Sequence, residues 1–317
     1  MSIMFAGGSA YEFGGVASLS TVAGRYDPDF AEGAIVKTNP NFAVVNLPYV
    51  SAENEMWIHT KAWLSKGGYN GNTHDVFILY SETGAQLAGL RRASGEGYTL
   101  FCGSTTFNLA GMNYDVLSDI DIHYFAETNR RCVEIYQNGS LVATAKVTGS
   151  WTPANSFSMG APNSLENFYS EIIVTEGNEP TIGWRLHTKR PDPALPGLNS
   201  FDSGYWGSLA NDSMESGVAT TSELARVTGG FAAYTGPATP IGIRGIMQTG
   251  RFIKNSTLLN LHGQLRIGGA NYDAPDKEFR DTTRLFSLWE KNPATDAPFQ
   301  VSDLAGLQGG FYTSLDD

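Results

Sequence analysis

The sequence predicts an all-β fold in two domains, and three observations carry that expectation. The first is composition. Of 317 residues, 36 are glycine, 17 phenylalanine, 14 tyrosine and 6 tryptophan, while the Ala/Leu/Glu/Lys runs of long helices are missing. The second is a period-two alternation of apolar and polar residues in segment after segment, the mark of a strand with one buried face. The third is the turn chemistry of Gly, Asn, Asp and Pro that separates those segments at short intervals. The chain is longer than one average domain, and a hydrophobic content of 41% is enough to build two cores.

Charge narrows the partners. There are 32 acidic and 21 basic residues, a formal net charge of −11 and a pI near 4.9. Such a surface repels nucleic acid and anionic membranes, so neither is expected as a partner. Arg91-Arg92, Arg130-Arg131 and Lys189-Arg190 are isolated pairs and read as solvated strand ends. Cys102 and Cys132 are too few for a disulfide framework and are expected as buried, reduced thiols, with a disulfide between them as the alternative. The opening MSIMFAGGSAYEFGG lacks the basic start and apolar core of an export signal. No run approaches the roughly 20 apolar residues of a membrane helix.

Taken in order, residues 1–30 are Gly/Ser-rich with scattered aromatics (Tyr11, Phe13, Tyr26), and read as an N-terminal arm or a first strand. An arm of this kind is expected to order against a neighbouring subunit, which makes a homo-oligomer the expected state. Strand signals follow at 42–47, 56–64, 76–80, 85–90 and 98–102. From Asp119 the pattern sharpens: Ile120, Ile122 and Tyr124 alternate with Asp119, Asp121, His123 and Phe125. Asn129-Arg130 turns the chain and residues 132–137 return. Asn138-Gly139 is a strong hairpin signal, because both turn positions require positive φ. Residues 141–145 complete the hairpin.

The run V-x-I-Y-x-N-G-x-L-V after I-x-I-x-Y, with Phe157–Gly160 and Tyr169–Val174 further on, resembles the laminin-G/concanavalin A-like β-sandwich over residues 40 to 176. That resemblance implies a jelly-roll-like first domain over 31–177. A boundary is expected near Gly177 to Pro180, and a second sandwich over 178–317. Within the second, residues 190–212 carry three prolines and many small residues and read as a long ordered loop. Two further strands are expected over 218–233, and residues 241–252 lead into the end of the chain.

The end of the chain is the most patterned. Leu259, Leu261, Leu265 and Ile267 alternate with polar residues, Gly268-Gly269 turn, and a strand over 284–290 stops before Asn292-Pro293. Ser302 or Asp303 is placed to cap one helical turn at 304–308. The spaced pattern L-x-x-x-L-R-I-G-G-x-x-Y and L-W-x-x-N-P-A-T-x-x-P-F-x-V-x-D-L-x-x-L-Q-x-G resembles the C-terminal module of tailed-phage virion structural proteins, where it follows a laminin-G-type domain. The resemblance implies a virion component, made in a bacterial cytoplasm and placed on a tail, a fibre or the capsid. Its implied partners are other virion proteins and copies of itself. The pattern carries no catalytic residue; in it, Trp289 reads as a core anchor.

Motifs of chemistry are missing. No phosphate loop, H-E-x-x-H, C-x-x-C or G-x-S-x-G occurs, and the five histidines (His59, His74, His123, His187, His262) are scattered. Neither a cofactor nor a metal is expected. A glycosidase of this fold needs two facing carboxylates; Asp119, Asp121 and Glu134 are the nearest candidates and read as solvated strand residues. No catalytic residue is assigned and an enzyme is not expected. Glycan recognition wants aromatic faces and Asn/Asp side chains. Tyr69, Asn70, Asn72, His74 and Asp75 supply that mix in one loop, and Asn113, Tyr114 and Asp115 in another, although turn chemistry accounts for the same residues. The primary reading is a virion structural component with host-surface glycan attachment as an added role. A carbohydrate-binding module or a polysaccharide-degrading glycosidase is the alternative.

Overall fold

A computed structural model describes residues 2–8, 12–13, 17–37, 43–66, 74–93, 97–160, 167–210, 217–234, 242–254, 259–280 and 283–315. The chain is all-β and forms two compact units, Met1–Thr188 and Lys189–Asp317.

The first unit is a sandwich of two antiparallel sheets. Sheet A runs in the order β12 (Ser140–Thr148), β11 (Arg130–Gln137), β10 (Leu117–Glu127), β5 (Glu55–Trp63), β14 (Phe168–Glu176), β3 (Ala34–Lys37), β2 (Ala17–Ser20), with β1 (Ser2–Gly7) also paired to β14. Sheet B runs β4 (Ala43–Asn46), β13 (Ser156–Met159), β6 (His74–Tyr80), β7 (Gln86–Ala93), β8 (Gly97–Cys102), β9 (Thr105–Asn108). The expected alternation is realised in β10 and β5: Ile120, Ile122 and Tyr124 share a face with Ile58 and Thr60 and are buried. Phe5 of β1 packs edge-on against Phe157 of β13 at 5.5 Å, and Phe157 stacks near Phe77 of β6 at 6.0 Å, closing the two sheets on one core. The Asn138-Gly139 turn has φ of 49° and 76°, the left-handed pair that the hairpin requires.

Of the two readings of the start of the chain, an arm or a first strand, residues 2–7 realise the strand: Met4, Phe5 and Phe13 are each at most 2% exposed. Burying such side chains stabilises by about 1.5–3 kcal/mol apiece, so this segment supplies core instead of lacking it. The first unit also runs on to Thr188, past the boundary expected near 177, because residues 181–188 hydrogen-bond back onto it. Both cysteines are free and buried.

The second unit pairs a sheet of β15 (Pro191–Asn199), β16 (Arg226–Phe231), β22 (Gln308–Leu315), β18 (Leu259–Ile267) and β19 (Ala270–Tyr272) with a sheet of β17 (Ile246–Arg251), β21 (Arg284–Trp289) and β20 (Lys277–Arg280). Residues 191–199 are thus a strand where a loop was expected. β15 sits at the sheet edge and pairs irregularly at Pro191, Pro196 and Asn199, the place where a proline's missing N–H costs least. The turn expected at 304–308 lies at Val301–Leu304 as a 3-10 turn, and Gln300, not Ser302, precedes it. Asp303 Oδ2 accepts the Gln300 N–H at 2.7 Å, which starts the turn earlier than the spacing suggests.

The patterned residues at the end of the chain form the core between these sheets. Leu265, Trp289 and Phe299 pack together with Ile243, Ile246, Tyr272 and Leu307, and Trp289 is 1% exposed. The sheets approach closely at Gly263, where a Cβ would stand 2.3 Å from Ser287 Oγ. There the open edge of β18 is capped by a side chain. Glu278 Oε2 accepts the Gly263 N–H and the Ser287 hydroxyl, both at 3.0 Å, and Oε1 faces His262 Nδ1 at 2.8 Å. Burial alone would raise the Glu278 carboxyl. The hydrogen bonds outweigh it and hold the group below its ordinary value of 4.5.

Three outcomes are expected. Trp289→Ala should lower unfolding free energy by about 3–5 kcal/mol in urea titration, since the cavity lies at the centre of the second core. Deleting residues 2–25 should abolish cooperative melting by circular dichroism, because it removes two strands of sheet A. The folded-state carboxyl of Glu278 lies below its unfolded value, so its contribution is complete above pH 4.5 and is lost as pH falls through the folded value. Melting temperature should therefore drop between about pH 5 and 3, and Glu278→Gln should flatten that drop.

Candidate functional site

Sheet A has a second face, turned away from the core, and this face collects the titratable side chains of the first unit. Alternation places Trp57, His59 and Lys61 of β5 opposite His123, Asp121 and Asp119 of β10, with Glu134 and Tyr136 of β11 continuing the rows. His123 is the hub of one row. Its Nε2 faces Glu55 Oε1 at 2.8 Å and its Nδ1 faces Glu134 Oε2 at 3.1 Å. Tyr136 donates to the same Glu134 oxygen at 2.7 Å, and Thr144 donates to the other at 3.4 Å. Above and below, the imidazole is sandwiched by Trp57 at 3.9 Å and Phe125 at 4.1 Å, both nearly parallel to it. The row is half open to solvent: the Glu55 side chain is 30% exposed, Glu134 17% and His123 11%.

One step along the strands the face closes. His59 Nδ1 and Asp121 Oδ1 lie 2.9 Å apart, and both side chains are fully buried. The cover is residues 181–188, a strap that crosses this face. Thr181 donates to Asp121 Oδ1 at 2.8 Å, and Ile182 lies by the Gly139 turn. Arg185 anchors the strap with two bonds to Glu171, at 2.6 and 2.8 Å, and one to Asp27 at 2.6 Å, while its guanidinium lies 3.5 Å over Phe30. Glu171 sits at a bulge of β14 with φ of 52°, which turns its fully buried carboxylate toward Arg185. Burial opposes ionisation of Asp27, but the Arg185 contact and the Asp29 N–H hold its carboxyl below the usual range. Burial first, and the Glu134 hydrogen bond second, push the Tyr136 phenol up. It is a hydrogen-bond donor at neutral pH and a poor proton acceptor.

Asp121 therefore departs from the solvated strand residue expected of it, because the strap excludes water from its neighbourhood. Asp119 is closer to expectation, paired with Lys61 at 2.9 Å and partly exposed. Of the loop residues singled out for glycan contact, Tyr69, Asn70 and Asn72 lie outside the described residues, as does the side chain of His74, which begins β6. Asp75 is bonded to Arg91 at 2.6 Å on sheet B. Tyr114 stacks on Tyr98 at 4.9 Å, and Asp115, with φ of 58°, accepts the Lys66 N–H. These are turn and packing roles. Asn113 is exposed and lines a half-open depression of about 340 Å³ with Gln137, Asn138, Ser140 and Leu141. Its backbone is clamped by Gln137, which accepts from the Asn113 N–H and donates to its carbonyl, both at 2.8 Å.

Two kinds of functional residue escaped sequence reasoning. Glu55 and His123 are far apart in the chain, and only the β5–β10 register brings them together. The strap residues Thr181 and Arg185 carry no pattern of their own. Among the described residues no group of three or more His, Cys, Asp or Glu is arranged to hold a metal.

Removing one member of the covered pair leaves the other buried without its partner. Asp121→Ala should cost about 3–5 kcal/mol in urea unfolding, and Thr181→Val about 1 kcal/mol.

No family model matches the chain, and no curated protein matches it. Solved structures share its sandwich fold at low identity. A cellulose-induced protein is 11% identical, with 52% of this chain and 87% of that chain covered and a TM-score of 0.40. A carbohydrate-binding module from Bacillus subtilis is 12% identical, with 52% and 93% covered and a TM-score of 0.32. The Lotus tetragonolobus seed lectin is 13% identical, with 52% and 92% covered and a TM-score of 0.32.

Proposed function

We propose that the first unit is a carbohydrate-binding β-sandwich that binds neutral glycans on the open row of sheet A without cleaving them. The observation that supports this reading is the row Glu55–His123–Glu134–Tyr136, fixed across three strands beside the Trp57–His123–Phe125 stack. Carboxylates with spare lone pairs accept from sugar hydroxyls, and Phe125, the partly exposed ring of the stack, offers an apolar surface to a pyranose. Stiff strands keep the polar groups in place before the ligand arrives, which reduces the ordering cost of binding. A negative net charge and a carboxylate-rich face both repel anionic polymers and favour neutral ones.

Cleavage fits the same residues poorly. A glycosidase keeps the space between its two carboxylates open for the scissile bond and, when inverting, for a water molecule. Here Glu55 and Glu134 lie on opposite nitrogens of one imidazole, so the His123 ring fills that space. A lyase needs a base beside the sugar, and Tyr136 is committed as a donor to Glu134.

A glycan array followed by titration calorimetry tests the reading. Binding to neutral oligosaccharides is expected, weakened about tenfold, or 1.4 kcal/mol, by Glu134→Gln or Tyr136→Phe, with no reducing-sugar release. An array with no neutral ligand, or affinities that ignore both substitutions, would remove the site.

The setting is a second proposal, resting on the resemblance of the chain's end to tailed-phage virion modules. Leu265, Trp289, Phe299 and Leu307 of that pattern meet in one core, which supports a scaffolding role for the module. Locating the chain in an electron-microscopy map of whole particles decides it.

A further inference from the structure

We propose that the second unit carries a serine esterase site formed by Ser314, His262 and Glu278, separate from the glycan face of the first unit. Ser314 Oγ lies 2.8 Å from His262 Nε2, and His262 Nδ1 lies 2.8 Å from Glu278 Oε1. A hydroxyl, an imidazole and a carboxylate in this order, each within hydrogen-bond reach of the next, form the constellation by which nucleophilic hydrolases are recognised on unrelated folds. Motif searches miss it because the three residues come from three strands, β22, β18 and β20, with no local signature.

The surroundings supply the other requirements. Glu278 is fixed from behind by the Gly263 N–H and the Ser287 hydroxyl, so Oε1 is left to orient the ring. Tyr312 stacks on His262 at 4.8 Å and holds the imidazole plane. With Nδ1–H donating to the carboxylate, Nε2 is the tautomer's acceptor and faces the serine. The hydroxyl has a second acceptor, the Leu315 carbonyl at 3.2 Å, but the imidazole nitrogen is nearer. Ser314 is partly exposed next to exposed Leu315, so the nucleophile is reachable. Asn260 is the register partner of Ser314, and Lys254 donates to Asn260 Oδ1 at 3.4 Å.

The reaction is hydrolysis of a carboxylic ester. Ser314 Oγ attacks the carbonyl carbon while its proton passes to His262 Nε2. The tetrahedral intermediate collapses, the bond to the alkoxy oxygen breaks, and His262 returns the proton to that oxygen, releasing the alcohol. Water then gives a proton to His262 Nε2 and its oxygen to the acyl carbon; the bond from that carbon to Ser314 Oγ breaks and His262 returns the proton to Oγ, freeing the carboxylic acid and restoring Ser314. No oxidant, metal or cofactor enters the balance. Ser314 and His262 are the catalytic residues; Glu278 is a positioning residue.

The full chain is incubated with a fluorophosphonate probe and, separately, with p-nitrophenyl acetate. One probe molecule per chain, mapped to Ser314 by peptide mass spectrometry, is expected. Ester turnover should fall about 10²-fold or more in Ser314→Ala and in His262→Gln. Both variants should melt within a few degrees of the parent; of the two, Ser314→Ala removes only one partly exposed oxygen. Glu278→Gln should lower kcat while leaving KM unchanged, a split that a purely structural role would not produce. An unlabelled chain, a label on another residue, or equal turnover by the parent and Ser314→Ala would overturn the proposal.

Discussion

The first unit depends on one constraint: a sheet covered on both faces must pair every polar group it hides. Sheet A meets sheet B through an ordinary apolar core, but its other face carries charge. Residues 181–188 lie across that face, so His59, Asp121 and Glu171 are sealed from water together with their partners. Placing such groups in a low dielectric costs several kcal/mol each unless they are bonded. The strap supplies those bonds through Thr181 and Arg185, so it completes the domain and cannot be read as a linker. Pairing is incomplete all the same: His59 Nε2, Asp121 Oδ2, Trp57 Nε1 and Thr175 Oγ1 have no hydrogen-bond partner among the described residues.

The second unit meets the same constraint at an edge instead of a face. Along its first half β18 pairs with β22 on one side only, which leaves backbone N–H groups on the other. At Gly263 one of those donors is met by Glu278, and the missing side chain lets the two sheets approach closely enough for that to happen. In both units, then, a buried or half-buried carboxylate does the structural work that a further strand would otherwise do.

Much of this was legible in the sequence and some was not. Period-two alternation marked β10, β11 and β18 because each has one apolar face, apolar residues on both faces marked β21 as a strand covered on two sides, and Asn138-Gly139 marked its turn because few residues tolerate two successive positive φ values. Trp289 read as core and is core. Composition misled where position decides the outcome. Prolines at 191, 193 and 196 suggested a loop, yet an edge strand accepts them. Glycines near the start left an arm or a first strand open, and Met4, Phe5 and Phe13, which bury as deeply as any residues in the unit, decide for the strand. Asp121 read as solvated because nothing in β10 announces a strap that arrives some sixty residues later. Of the described members of the glycan reading, Asp75 is paired with Arg91 on β6, Tyr114 is stacked on Tyr98 and Asp115 holds the Lys66 N–H, while Asn113 lies exposed at the rim of a depression. The row around His123 was hidden for the opposite reason: its members are ordinary strand residues until the register aligns them.

The two histidine networks show how the third group sets what an imidazole does. His123 and His262 are each stacked on an aromatic ring and each held at Nδ1 by a glutamate. At His123 the remaining nitrogen meets a second carboxylate, and both ends of the ring face acceptors. Such a ring has no neighbour to deprotonate; it spaces two carboxylates across a sheet and suits a surface that receives hydroxyl donors. At His262 the remaining nitrogen meets a hydroxyl, a group with a proton to give and an oxygen able to attack. The distances differ by a few tenths of an ångström and the stacking is alike, so the difference in chemistry between the two sites comes from Glu55 standing where the other has Ser314.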